Sequence, residues 1–119
     1  MVNRGEAFPR TVPFFNEYEE TKAAAEELVR SYSRDGMECV IVNPSRVYGP
    51  GPVNESNAVT KMIRQYSRGT WRIIPGDGTC VGNYVLVDDV AGGHILAAMH
   101  GKPGERYLLG GENLTFDQF

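Results

Sequence analysis

Hydrophobic and polar positions change period several times along the chain, and each change marks an element. Tyr18, Lys22, Ala25, Val29 and Tyr32 recur at helical spacing, which predicts a helix from Asn16 onward with these residues on the face turned toward the protein. Asn16 is placed to accept from the Glu19 N–H and Glu19 to reach back toward Asn16, with acidic residues at the positive end of the helix dipole. The helix closes at Asp35-Gly36, where glycine can take the left-handed cap conformation. Cys39-Val-Ile-Val42 is a continuous apolar run, the pattern of a strand buried on both faces in a parallel sheet. Pro44 and the Gly/Pro cluster through Pro52 predict that the strand stops there and that a loop follows at its carboxyl end, where open α/β sheets bind ligands.

Further on, Ser56 is placed to cap a helix with Val59, Met62, Ile63 and Tyr66 on its inner face, Lys61, Arg64 and Arg68 on its outer face, and Gly69 at its end. Trp71–Ile74 reads as a short strand, Pro75–Gly78 as a turn and Asn83–Val87 as a second strand. Asp88 is a natural N-cap for a helix from Asp89 to about His100, ended by Gly101 and Pro103, with His94 and His100 as helix residues without a site role. Arg106–Leu109 is the last strand, and Thr115-Phe-Asp-Gln118 has the form of a capping box that starts a helix cut short at Phe119. Residues 1–15, with Gly5, Pro9, Pro13 and scattered Phe8, Phe14 and Phe15, show no period and read as a loop. The order of elements predicts an α/β fold in which two buried strands run parallel and connect right-handedly.

Composition narrows this only a little. A chain of 119 residues is one domain at most, and a net charge of −3 with ordinary apolar content points to neither nucleic acid nor a membrane surface. The absence of an apolar run of about 18 residues predicts a soluble, cytoplasmic protein. Cys39 and Cys80 read as free thiols, with no metal site. Candidate chemistry sits on the first helix: a phenol has a reference pKa of about 10, and a cation nearby lowers it toward the range where tyrosine trades protons with an alcohol or ketone. On spacing alone, the pair reads first as an interfacial aromatic beside a lysine that extends its head to water.

Four ordered stretches change that balance. Tyr18-Glu-Glu-Thr-Lys22, Asn43-Pro-Ser-Arg-Val-Tyr-Gly-Pro-Gly51, Asn83-Tyr-Val-Leu-Val-Asp-Asp-Val90 and Pro103-Gly-Glu-Arg-Tyr-Leu-Leu-Gly-Gly-Glu-Asn113 together resemble the second half of an extended short-chain dehydrogenase/reductase. The branch is that of the NAD-dependent epimerases/dehydratases and dihydroflavonol-reductase-like enzymes. The resemblance implies an incomplete Rossmann-like parallel sheet with helices, plus a small substrate-domain element made of a short strand pair and a helix. It divides a single partial domain into a loop (1–15), a catalytic helix, strand and nicotinamide-side loop (16–52), a substrate-side segment (53–87) and a last helix-strand unit with the start of a truncated helix (88–119). It also implies that Tyr18 is the acid/base on the substrate oxygen, and that Lys22 lowers its pKa and holds the nicotinamide ribose. Pro44, Ser45, Arg46 and Val47 would lie beside the nicotinamide of NAD or NADP, with Tyr48, Arg72 and Asn83 on the substrate side.

The departures are equally informative. Family members that handle nucleotide-sugars often carry Arg and His where this chain has Gly82 and Leu86, which favours a small ketone or aldehyde as substrate. No Gly-x-x-Gly-x-x-Gly loop occurs in the 119 residues. The resemblance would place that loop and a catalytic Ser/Thr upstream of Met1, so no dinucleotide is expected on this chain alone. The expectation is therefore a fragment of an NAD(P)-dependent oxidoreductase or epimerase acting on a secondary alcohol or carbonyl, inactive by itself. Its apolar strands, with a sheet edge left uncovered, predict a homodimer. The alternative is a non-catalytic binding or interaction module that uses the Lys61/Arg64/Arg68/Arg72 face.

Overall fold

The computed structural model describes Glu6, residues 11–52 and residues 57–119. The elements are α1 (Glu17–Arg34), β1 (Ile41–Pro44), β2 (Arg46–Tyr48), α2 (Ala58–Ser67), β3 (Val81–Leu86), α3 (Val87–His100), β4 (Arg106–Leu109) and β5 (Glu112–Thr115). They form two compact units, Met1–Asn43 with Ile95–Leu108 and Pro44–His94 with Leu109–Phe119. Among the described residues no helix is long and apolar enough to cross a membrane.

In the first unit, α1 starts as expected, with the Asn16 side chain accepting from the Glu19 N–H at 3.0 Å. The return bond goes one residue further back than expected: the Phe15 N–H donates to Glu19 Oε2 at 3.0 Å. The helix ends at Asp35 and Gly36, the latter at φ 98. Its inward face is a correction. Tyr18 is 68% and Tyr32 53% exposed, and Lys22 and Ala25 also face solvent, whereas Glu19, Ala23, Glu26, Val29, Arg30 and Ser33 are half-buried. Ala23-Ala-Ala25 spreads small side chains around the helix, so apolar periodicity does not fix its rotation. Glu26 supplies a polar anchor instead, accepting from Asn43 Nδ2 at 2.8 Å and pairing with Arg106 at 3.3 Å.

β1 pairs with β4. The Ile41 N–H donates to the Glu105 carbonyl and the Ser45 N–H to that of Leu109, both at 3.0 Å and with the same offset along the chain, so the strands run parallel as the apolar runs predict. The ladder includes Pro44, which the sequence placed at its end. Alternate N–H groups of a strand point to opposite edges, and Ile41 and Ser45 face β4, so residue 44 falls where no bond to β4 is needed.

The second unit holds a three-stranded sheet in the order β2-β3-β5. β2 runs parallel to β3 with Arg46 beside Tyr84 and Tyr48 beside Leu86, and β3 runs antiparallel to β5. Tyr84, Val85, Val90 and Thr60 are buried here. The Thr60 hydroxyl accepts from the Gly49 N–H at 3.2 Å, which ties α2 to the loop after β2.

Several expectations are corrected in this unit. β2 lies within the stretch read as loop. Trp71–Ile74 is not a strand: the Thr70 and Trp71 N–H groups both donate to the Gln65 carbonyl, wrapping the chain back onto the end of α2. α3 begins at Val87, so Asp88 sits in the first turn and is not the cap. On α2, Val59 and Met62 turn inward, but Ile63 is 38% and Tyr66 74% exposed. The Ser56 cap lies outside the described residues, and Asn57 at the cap position makes no side-chain capping bond. Thr115 and Gln118 do form the reciprocal bonds of a capping box, at 2.9 and 3.2 Å, but Thr115 ends a strand and only a single turn follows.

Candidate functional site

Tyr18 and Lys22 lie one turn apart on the exposed side of α1 in the first unit, with Lys22 Nζ 5.6 Å from the centre of the tyrosine ring. Asn16 fixes where the helix starts, and the Glu26 anchor fixes its rotation. Together they leave the phenol open to solvent. The chemistry available to this pair is proton exchange at the phenol beside a positive charge.

The other predicted residues lie in the second unit. Pro44 is exposed. The Ser45 N–H is held by Leu109, while its hydroxyl oxygen is buried without a hydrogen-bond partner. Arg46 donates from Nη1 to the Tyr84 hydroxyl at 3.3 Å, and its guanidinium carbon lies 5.6 Å from the Tyr84 ring centre. Ser45, Arg46 and Val47 line an open groove of about 920 Å³ together with Trp71, Tyr84 and Phe116. Tyr48 packs edge-on against Phe119 at 6.4 Å between ring centres, and Phe119 stacks on Tyr84 at 4.2 Å.

Asn83 directs its amide to its own chain. Nδ2 donates to the Gly111 carbonyl at 3.0 Å and to Asn113 Oδ1 at 2.8 Å, and Oδ1 accepts from the Gly111 N–H. Arg72 donates from Nε to the Gly69 carbonyl at 2.9 Å and borders a second hollow of about 440 Å³ with Ile63, Tyr66 and Ile73. Of the basic outer face, Arg64 likewise donates to a main-chain carbonyl, that of Gly51, at 2.8 Å. Tyr84, Trp71 and Phe116 did not emerge from the sequence as groove residues, nor Phe119 as the ring that stacks on Tyr84. Their only signal is that they are large aromatics.

Both cysteines are free, and no group of residues among those described is arranged to hold a metal ion. The residues present fit one end of a dinucleotide. The orphaned Ser45 hydroxyl offers a polar partner to a carboxamide or sugar hydroxyl, whereas the sequence has no Gly-x-x-Gly-x-x-Gly motif for the phosphates.

Residues 4–110 match the NAD dependent epimerase/dehydratase family. Sterol demethylase protein B of Methylococcus capsulatus is 35% identical over 103 residues, covering 86% of this chain and 30% of that protein. A solved dTDP-glucose 4,6-dehydratase from Streptomyces venezuelae with NAD bound superposes with a TM-score of 0.77 at 26% identity, covering 98% of this chain and 37% of that one. A UDP-glucose 4-epimerase from Thermotoga maritima, solved with UDP-glucose, gives a TM-score of 0.72 at 31% identity over 85% of this chain and 34% of that one. The chain therefore spans little more than a third of these relatives at most. By the match over nearly its whole length, the chain belongs to the NAD dependent epimerase/dehydratase family, with the α/β fold of its Rossmann-like members.

Proposed function

We propose that this chain is the catalytic and substrate-side part of an NAD(P)-dependent oxidoreductase or epimerase that acts on a secondary alcohol or carbonyl of a ketone, aldehyde or sugar. The observation that carries the reading is the Tyr18/Lys22 pair, one turn apart and solvent-accessible, in a chain of this family. Tyr18 gives its phenolic proton to the substrate oxygen as a carbonyl is reduced, and takes one back when an alcohol is oxidised. Lys22 stabilises the phenolate that forms and holds the ribose of the cofactor through its ammonium donors. Ser45 to Val47 border the nicotinamide, with the Ser45 hydroxyl as a polar partner. When bound, the nicotinamide supplies or accepts the hydride. Tyr48, Arg72 and Asn83 shape the substrate side, Asn83 by holding Gly111 between β4 and β5.

Because pyrophosphate is held at Gly-rich helix N-termini in such folds and the sequence contains no such loop, the chain by itself is expected to show no dinucleotide binding at micromolar concentration in calorimetry. Joined to the dinucleotide-binding half of a family member, it is expected to turn over. Tyr18→Phe should then lower kcat by about 10²-fold to 10⁴-fold with cofactor affinity kept, and Lys22→Ala should weaken both. Full activity in Tyr18→Phe, or equal loss of cofactor affinity in the two variants, overturns the assignment.

A further inference from the structure

The groove of the second unit contains a cation whose placement the fold has arranged. In the β2–β3 register Arg46 stands beside Tyr84, so both side chains leave the sheet on one face, the same face as Gly82 two residues back on β3. Gly82 is buried, and a Cβ there would collide with Arg46 Nη1 and lie 2.9 Å from the Tyr84 ring. The missing side chain of Gly82 is thus the space in which the guanidinium lies. One end of that guanidinium is fixed by the Tyr84 hydroxyl, and Tyr84 is itself 4% exposed under the stacked ring of Phe119.

No aspartate or glutamate stands among the described residues lining the groove, and Arg46 makes no ion pair among them. Lys61 adds a second cation, while Val47, Met62, Trp71 and Phe116 make the walls apolar. An exposed positive charge with no ion pair among the described residues, on the lining of an aromatic-walled groove, matches a ligand with an apolar body and one anionic end. With Nη1 engaged, the remaining planar edge of the guanidinium presents two donors, the geometry that two coplanar carboxylate oxygens accept side by side.

We propose that Arg46 is a specificity-determining residue, positioned by Gly82 and Tyr84, that anchors the carboxylate of a substrate whose apolar body lies against Trp71 and Phe116. The statement that this ligand is a substrate rests on the function proposed above; the anion site itself does not.

Trp71 is the one tryptophan in the sequence and lines the groove, so its fluorescence reports on occupancy without cofactor or turnover. The full chain is titrated with 3-phenylpropanoate, its neutral amide and phenyl phosphate. The expected result is saturable quenching with the carboxylate bound about tenfold or more tighter than the amide, the scale of a hydrogen-bonded charge. That preference is lost in Arg46→Ala, weakened in Arg46→Lys, and lost in Gly82→Ala with unchanged far-UV circular dichroism. No saturable response, equal affinity for acid and amide, or a preference that survives Arg46→Ala overturns the proposal; tighter binding of phenyl phosphate overturns the carboxylate assignment. A carboxylate preference in a chain whose joined form shows no Tyr18-dependent turnover counts against the proposed function and leaves the anion site standing.

Discussion

Asp77 shows how a single side chain in this protein sets its own charge. Its carboxylate accepts from the Thr79 hydroxyl at 2.7 Å and from the Thr79 N–H at 3.1 Å, and these bonds, the hydroxyl first, hold its pKa below the ordinary 3.8. The folded value lies below the unfolded one, so the contribution to stability is present above the unfolded value and is lost as pH falls through the folded value. Thr79→Val is expected to move the Asp77 carboxyl back toward its ordinary value in an NMR titration; an unchanged titration would show that the hydroxyl is not the cause. The Asp77 turn is legible in the sequence because its partners are two residues apart. The Tyr84–Phe119 stack is not, because it joins a mid-chain strand to the last residue and leaves no local pattern. The same holds for Arg46, whose guanidinium position depends on a glycine in a different strand.

At the scale of elements, α1 is held by charge rather than by an apolar stripe. Glu26 lies about three-quarters buried between Asn43 and Arg106, at 23% side-chain exposure. Glu26→Ala would leave the Asn43 amide and the Arg106 guanidinium without this acceptor, with an expected loss of about 1–3 kcal/mol in a urea melt. A change within error would mean that water replaces the carboxylate and that the anchor is not Glu26. The rotation of α1 was hidden from sequence for this reason: three consecutive alanines and a polar anchor give no moment that points inward. The helix itself was readable from Asn16, Glu19 and Gly36, and the parallel β1–β4 pair from its continuous apolar runs. Three-residue β2 lies in a run of prolines and glycines, where turn chemistry outweighs strand propensity, and only its pairing with β3 makes it a strand. Trp71–Ile74 errs the other way. Its residues favour strands, but the Trp71 N–H that would open the strand is taken by the Gln65 carbonyl at the end of α2.

The whole molecule leaves much apolar surface in water. On α3, Ile95, Leu96 and Met99 are each at least 60% exposed, and on α1 Leu28 and Tyr32 are more than half exposed. Burying such residues stabilises by about 25 cal/mol per Å² of apolar area removed from water, which favours association. The expected state is therefore a two-fold dimer, with a light-scattering mass close to twice the 13.2 kDa of one chain. A clean monomer mass across micromolar concentrations rules this out.

The two thiols give the protein an internal clock. Each compact unit contains one cysteine, Cys39 in the first and Cys80 in the second. Cys80 is exposed, so a thiol reagent reaches it without any opening of the chain. Cys39 is only partly accessible, with its sulfur 3.6 Å from the Val29 carbonyl of α1, so that helix slows its modification and any lifting of the helix speeds it. The ratio of the two labelling rates, measured in one sample with one reagent, reads how closely the helix that carries Tyr18 and Lys22 shields Cys39. It follows that the mobility of the candidate catalytic helix is measurable at native pH, without a cofactor, a substrate or an added probe site.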